Sequence, residues 1–391
     1  MSVVWTACSS NHSLHPSLTD MPVVAHIDTI NAEPMTVCQL DLLEDTVRLP
    51  LSALVEELQI IRLDNRDEAL VELGGVHFSD NYILIQGWKT PCKLFRKDGT
   101  YINKVGSIGQ GPGEYKVIHD VQIDEKHGHI YLLPWTARAI LVYNLEGKFE
   151  GTIPLHLPHP QMTVAKGIFH VDREKNQVFV ASLPFNYLPR MAWVQDLEGN
   201  LQDVIPAGHL KLKPNYSNEL ICEKRTGQWS FHLSPFFELR KDSLYHWNFP
   251  ERKLIPRFTL DFGERKISLH NYYELPLYYY GSVSSTKQMT EDSFVSDRTQ
   301  FYIVDKSTLR GSFCHIYNDY LCDEPTDWIV GKGGYYIENV DPGTLLERID
   351  KWLEETPEQD TDRRKRILDL KASIGRNDNN YIIYGKHRTK R

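Results

Sequence analysis

Four polar residues stand where repeated β units would feed a shared centre: His119, Asp120, Lys166 and Asp327. An imidazole, an ammonium group and two carboxylates arriving from separate units would suit a polar ligand, an ion or acid–base chemistry. The plainer alternative is that Asp and His at strand starts only satisfy backbone groups. A second candidate is the run Gly109-Gln110-Gly111-Pro112-Gly113-Glu114-Tyr115. It lacks the Gly-Lys-[Ser/Thr] ending of a phosphate loop, and its glycines miss the G-x-G-x-x-G spacing. It lies between two β-runs and reads as a tight crossover, with Glu114 and Tyr115 as rim contacts. His127 and His129 have no third metal ligand nearby in sequence and read as an exposed turn. The H-E-x-x-H, G-x-S-x-G and EF-hand patterns are missing from the chain. No resident cofactor is expected, and a divalent metal has a place only among the central polar residues.

The elements that would position these residues come from an internal repeat. Leu94–Tyr101, Val142–Phe149 and Val194–Leu201 share a strand–turn–strand phrase, with Gly99, Gly147 and Gly199 spaced by 48 and 52 residues. Asp-Gly or Glu-Gly between two β-rich runs is a hairpin signal. A second phrase, a polar turn and then an aromatic-bearing strand, precedes each one; Tyr82, Tyr131 and Phe179 mark it. Two hairpins per repeat of this length make a propeller blade. Counting gives six: 76–115, 116–155, 163–207, 231–262, one around Phe301–Asp305, and one beginning near Asp327.

The last blade is short of strands. Pro342-Gly343-Thr344 opens a helical pattern with Leu345, Ile349, Trp352 and Leu353 at helical spacing. The expected fold is therefore all-β: a six-bladed β-propeller over residues 46–391, with helices near 344–375 inserted in its last blade. A strand near 58–63 and one near 380–385 would close that blade and remove exposed edges. Residues 1–45 read as a signal remnant and a flexible N-terminal segment.

A net charge of −8 argues against a nucleic-acid partner. No apolar run is long enough for a transmembrane helix. The six cysteines form no CxxC pair, and a Cys314–Cys322 disulfide cannot be read from sequence. Cys8 follows small residues and precedes a Ser-rich polar stretch, like the lipidated cysteine of a bacterial lipoprotein signal. No Lys or Arg precedes it, and the apolar stretch before it is short. Tyr278, Tyr279, Tyr280, Trp88, Trp135, Trp193 and Trp229 would stack on sugar rings if exposed, and would pack between blades if buried. Arg363–Arg366 reads as a solvated helix face.

Phe95–Ile102, followed by Gly106–Tyr115, resembles the bacterial 6-bladed beta-propeller family related to NHL-repeat proteins. The resemblance covers roughly residues 47–391, and Gly109–Tyr115 is its most specific element. It implies a secreted protein or lipoprotein, in the periplasm or outer membrane and membrane-bound only through Cys8. NHL-like repeats often carry Asp after the aromatic strand; this chain has Leu133-Pro134-Trp135 there, so no role of that Asp carries over. The leading expectation is a non-catalytic recognition or scaffold protein that binds a protein, peptide or glycan. The alternative is a propeller lyase or hydrolase using the channel residues. Fold alone decides neither.

Overall fold

The glycines that punctuate the repeat adopt left-handed backbone: φ is 91° at Gly99, 76° at Gly147 and 87° at Gly199. Each closes the same turn, its N–H donating to the carbonyl three residues earlier. A Cβ on Gly147 would stand 2.0 Å from the Lys104 carbonyl oxygen. The glycine therefore supplies both the turn conformation and the close approach to the preceding blade. After each turn the outer strand carries a register shift at the same place, between Leu94/Phe95, Val142/Tyr143 and Val194/Gln195.

The computed structural model describes residues 3–5, 16–30, 32–225, 228–236, 239–248, 251, 253–290, 293–356 and 361–390. These form the six blades of a β-propeller. Blade 1 runs outward through Gly75–Phe78, Tyr82–Gln86, Cys92–Arg96 and Tyr101–Val105. Blade 2 comprises Ile118–Asp124, His129–Pro134, Ala139–Asn144 and Phe149–Pro154. Blade 3 comprises Ile168–Asp172, Gln177–Ala181, Arg190–Gln195 and Leu201–Pro206. Large buried side chains such as Phe95, Tyr131, Tyr143, Phe169 and Trp193 fill the space within and between these sheets.

Blade 4 departs from expectation. Its innermost strand is Glu219–Arg225, ahead of the 231–262 span read from the sequence, and Gln228–Ser234 is the second. Leu244–Asn248 and Lys253–Asp261 follow. Blade 5 comprises Leu269–Glu274, Tyr278–Thr290, Ser293–Asp305 and Gly311–Tyr317. Blade 6 runs outward through Tyr335–Val340, Tyr381–Lys386, Leu58–Arg62 and Val3–Trp5, so strands from both ends of the chain share one sheet.

The N-terminal region is a belt around the rim. Glu33–Gln39 adds in parallel to Lys253–Asp261 of blade 4 and carries Ala25–Ile30 on its outer side. Thr46–Pro50 then adds in parallel to Gly311–Tyr317 of blade 5. Residues 25–39 thus belong to a sheet and not to a flexible segment ending at residue 45. Val24, Met35, Val37, Cys38 and Leu40 are buried there. Strand pairing and burial together offset the entropy of ordering the segment.

The helices Pro342–Glu355 and Thr361–Ser373 lie between the first two strands of blade 6. Asp341 caps the first, accepting from the Thr344 N–H at 2.9 Å, and Pro342 sits at the tolerant first position. Leu345, Ile349, Trp352, Ile367 and Leu370 join one apolar cluster with Leu49, Leu51 and Tyr381. Arg363 is not simply solvated: it donates to the Leu321 carbonyl and lies 5.0 Å from the centre of the Trp352 ring. At the closure, buried Asn379 accepts from the Val71 N–H at 3.0 Å and donates to the carbonyls of Asp64 and Ala69. It pins the turn before Tyr381–Lys386 to the segment that leads from Leu58–Arg62 of blade 6 into blade 1. Cys38, Cys92, Cys222, Cys314 and Cys322 are free thiols, so Cys314 and Cys322 are not bridged. Cys8 lies outside the described residues.

Candidate functional site: a channel divided into two chambers

A strand side chain points alternately to opposite faces. In Glu219–Arg225 that alternation divides the central channel. Glu219 and Glu223 face one chamber of about 500 Å³, and Leu220 and Lys224 face another of about 710 Å³. Ile221, Cys222, His77, His119 and Lys332 border both. The first chamber meets the starts of the inner strands at Gly75 and Ile118, together with Trp88 and Trp135. The second meets their far ends at Phe78 and Ile123, and the Ser79-Asp80 turn.

Ion pairs anchor this dividing strand. Asp120, 1% exposed, receives the Lys224 ammonium on Oδ2 and the Lys332 ammonium on Oδ1 at 3.2 Å. Its Oδ2 also accepts the Phe169 N–H at 3.0 Å. Burial alone would raise the Asp120 carboxyl, but the two lysines outweigh it and hold it well below the carboxylate range. Lys224 donates also to the Phe169 carbonyl at 2.7 Å. Glu223 accepts the Gly334 N–H at 2.8 Å, with Arg225 Nε at 3.7 Å. Burial pushes its carboxyl up to about 7. Blade 4 is thereby tied to blades 2 and 3 and to the turn before blade 6.

His119 and Lys166 both lie against Glu219, a partner the sequence did not reveal. Lys166, at a left-handed φ of 46°, donates to the Asn218 carbonyl at 3.0 Å and to the Glu219 carboxylate. His119 Nδ1 lies 2.8 Å from the Gly167 carbonyl oxygen, and its Nε2 lies 3.9 Å from Glu219. Burial opposes ionisation of Glu219, yet His119 and Lys166 hold its carboxyl below the usual value. Trp135 is 36% exposed and its ring centre lies 5.1 Å from Lys166 Nζ; Trp88 is 58% exposed on the same chamber. The first chamber thus has a fixed polar cluster at its base and two accessible indoles.

Other expected residues fall elsewhere. Asp327 is not in the channel: it accepts the Ile316 N–H at 3.0 Å, and its carbonyl accepts the Tyr280 hydroxyl at 2.6 Å. It closes a turn between blades 5 and 6. Tyr115 is not a rim contact, because its buried hydroxyl donates to the Val105 carbonyl and accepts the Cys92 N–H. Glu114 accepts the Gln110 and Gly111 N–H groups and seals its own loop. That loop joins blades 1 and 2 through a short parallel pairing of Ser107–Ile108 with Glu114–Tyr115. His127 and His129 point to different carboxylates, Asp124 and Glu150. Tyr278, Tyr279, Tyr280, Trp193 and Trp229 are buried. Among the described residues, no three His, Cys, Asp or Glu side chains are grouped to hold a metal ion, and no helix is long and apolar enough to cross a membrane.

The sequence signal that would have exposed the dividing strand is Glu219-Leu220-Ile221-Cys222-Glu223-Lys224-Arg225, a β-length run with charges at both parities. In the structure Leu220 and Cys222 pack into the core, while Glu219, Glu223 and Lys224 reach the two chambers.

The likeness to a solved structure supports the fold. The "Putative exported protein (BF0058)" of Bacteroides fragilis matches with a TM-score of 0.59 at 14% identity, covering 90% of this chain and 99% of that one. A member of the DUF4221 family from Bacteroides vulgatus matches with a TM-score of 0.45 at 10% identity, covering 86% and 97%. No curated protein matches the sequence. A model for a domain of unknown function, DUF4934, matches residues 36–386, and the chain belongs to that family.

Proposed function

We propose that this propeller is a recognition protein of the bacterial envelope that binds a glycan or peptide in the Trp88–Trp135 chamber without transforming it. One observation carries the reading: two exposed indoles border a chamber whose polar base is already held in place. Indoles offer a flat apolar face with one donor, which suits sugar rings and peptide side chains. Pre-positioned polar groups reduce the ordering cost of binding. In calorimetry against a panel of oligosaccharides and peptides, the Trp88→Ala/Trp135→Ala variant should bind the selected ligand about tenfold or more weakly, the loss of roughly 1.4 kcal/mol. Unchanged affinity would remove the chamber from the account.

Glu223 favours a second reading, a lyase or hydrolase. A buried carboxyl raised to about 7 has the protonation of a general acid near neutral pH. Its hydrogen bond from Gly334 and its proximity to Arg225 also suit a purely structural role.

Export as a lipoprotein rests on Cys8 and its sequence context. It agrees with the name of the Bacteroides fragilis structure, which is a property of that protein. Mass spectrometry of membrane-fraction protein is expected to find acyl chains on an N-terminal Cys8. A mature chain that keeps residues before Cys8 would contradict the anchor.

A further inference from the structure

The chamber on the far side of the dividing strand has a different electrostatic character. Its titratable lining includes the lysines Lys97, Lys224, Lys332 and Lys386, and the carboxylates Asp80 and Asp120. The chain as a whole carries −8, yet this concave surface has two more ammonium groups than carboxylates. A cleft of one sign with low-dielectric walls concentrates ions of the other sign.

The donors are also in place. An ammonium group has three N–H donors. Lys332 gives one to Asp120 at 3.2 Å, and its side chain is 47% exposed. Lys224 gives two, to Asp120 and the Phe169 carbonyl. Among the described residues, Lys386 has no carboxylate within salt-bridge range. Asp120, buried behind Lys224 and Lys332, holds both heads at the chamber wall. Lys97 is braced against the Phe78 ring at 4.1 Å and donates to the Ser79 carbonyl; burial lowers its pKa, and the Asp80 and Glu125 carboxylates only partly offset that. His170 lines the same wall, packed edge-on to Trp229 at 5.4 Å.

We infer that this chamber is a second ligand site, separate from the indole chamber, for a small anion whose phosphate, sulfate or carboxylate oxygens meet Lys332, Lys386 and the remaining Lys224 donor. Charge-assisted hydrogen bonds of this kind are short and strong. Asp120 neutralises one charge of the Lys224–Lys332 pair, so the site retains a net attraction for anions.

The test is calorimetric titration of the full chain with inorganic phosphate, sulfate and glucuronate in separate arms, each at fixed ionic strength set with chloride. Saturable binding of at least one is expected. The arm that binds tells an oxyanion from a sugar-acid carboxylate as the source. Lys332→Gln/Lys386→Gln should weaken it about tenfold or more, while Trp88→Ala/Trp135→Ala leaves it unchanged. Lys224 still pairs Asp120 in the lysine variant, and a single cooperative thermal transition would confirm its fold. No saturable binding in any arm, or equal binding by the lysine variant, would overturn the inference. Neither result bears on Trp88 or Trp135, which the indole variant tests separately.

Discussion

Lowering the pH from about 6.5 to 4 is expected to cost the fold about 5 kcal/mol, read from urea unfolding at each pH. Burial pushes three imidazoles down, His77 and His232 to about 3 and His387 to about 4. The stability from a neutral buried imidazole is full above the unfolded value of 6.5 and is lost as pH falls toward the folded value. Each contributes a loss of about 3 kcal/mol across this window. Glu223 and Glu324 act oppositely: burial raises each to about 7, so they favour the folded state at low pH and penalise it as pH rises. Together they return roughly 5 kcal/mol on acidification. Glu274, held at about 2 by His246 and Lys306 against its burial, begins to lose its contribution below about pH 4.5 and adds about 1 kcal/mol to the acid loss. The maximum should therefore lie near pH 6.5, with a steep acid limb and a shallow alkaline one. A profile flat from about pH 7 to 4 would mean that these imidazoles are not buried as described.

Replacing Asp120 by Ala is the single substitution expected to damage the channel most, by about 3–5 kcal/mol. It would leave Lys224 and Lys332 facing each other without their shared carboxylate and the Phe169 N–H without its acceptor. Asp120→Asn keeps one acceptor and should cost less. Removing the lysines together with Asp120, as Asp120→Leu/Lys224→Met/Lys332→Met, should recover part of the loss because no uncompensated charge remains. Equilibrium denaturation of the three variants checks the order. A loss below about 1 kcal/mol for Asp120→Ala would show that the pairs do not hold the dividing strand.

The residues that announce the fold act locally. Gly99, Gly147 and Gly199 set turns between adjacent strands, so their spacing exposes the blade period directly. The closing strands at 58–62 and 381–386 are β-rich and isolated, which makes their pairing the economical solution. The belt is different. Glu33–Gln39 and Thr46–Pro50 add in parallel to strands more than 200 residues away, with no turn signature to reveal the pairing. The site divides in the same way. His119 and Lys166 follow from their position at inner-strand starts. Their partner Glu219, and the partners Lys224 and Lys332 of Asp120, come from other blades, 104 and 212 residues away for the lysines. Asp327 lies outside the channel because the chain makes an additional turn before the innermost strand of blade 6 begins at Tyr335. Tyr115 looked like a rim residue because a Gly/Pro loop precedes it, yet its hydroxyl satisfies two backbone groups inside the core.

Recognition without transformation is tested most directly by the fate of the ligand. The ligand selected by the Trp88–Trp135 chamber would be incubated overnight with a stoichiometric amount of the protein, with and without added divalent cations, and recovered for mass spectrometry. The account predicts that it returns with unchanged mass and connectivity, and that Glu223→Gln binds it as the wild type does. A cleaved or eliminated product, formed by the wild type and not by Glu223→Gln, would contradict recognition and make the chamber an active site.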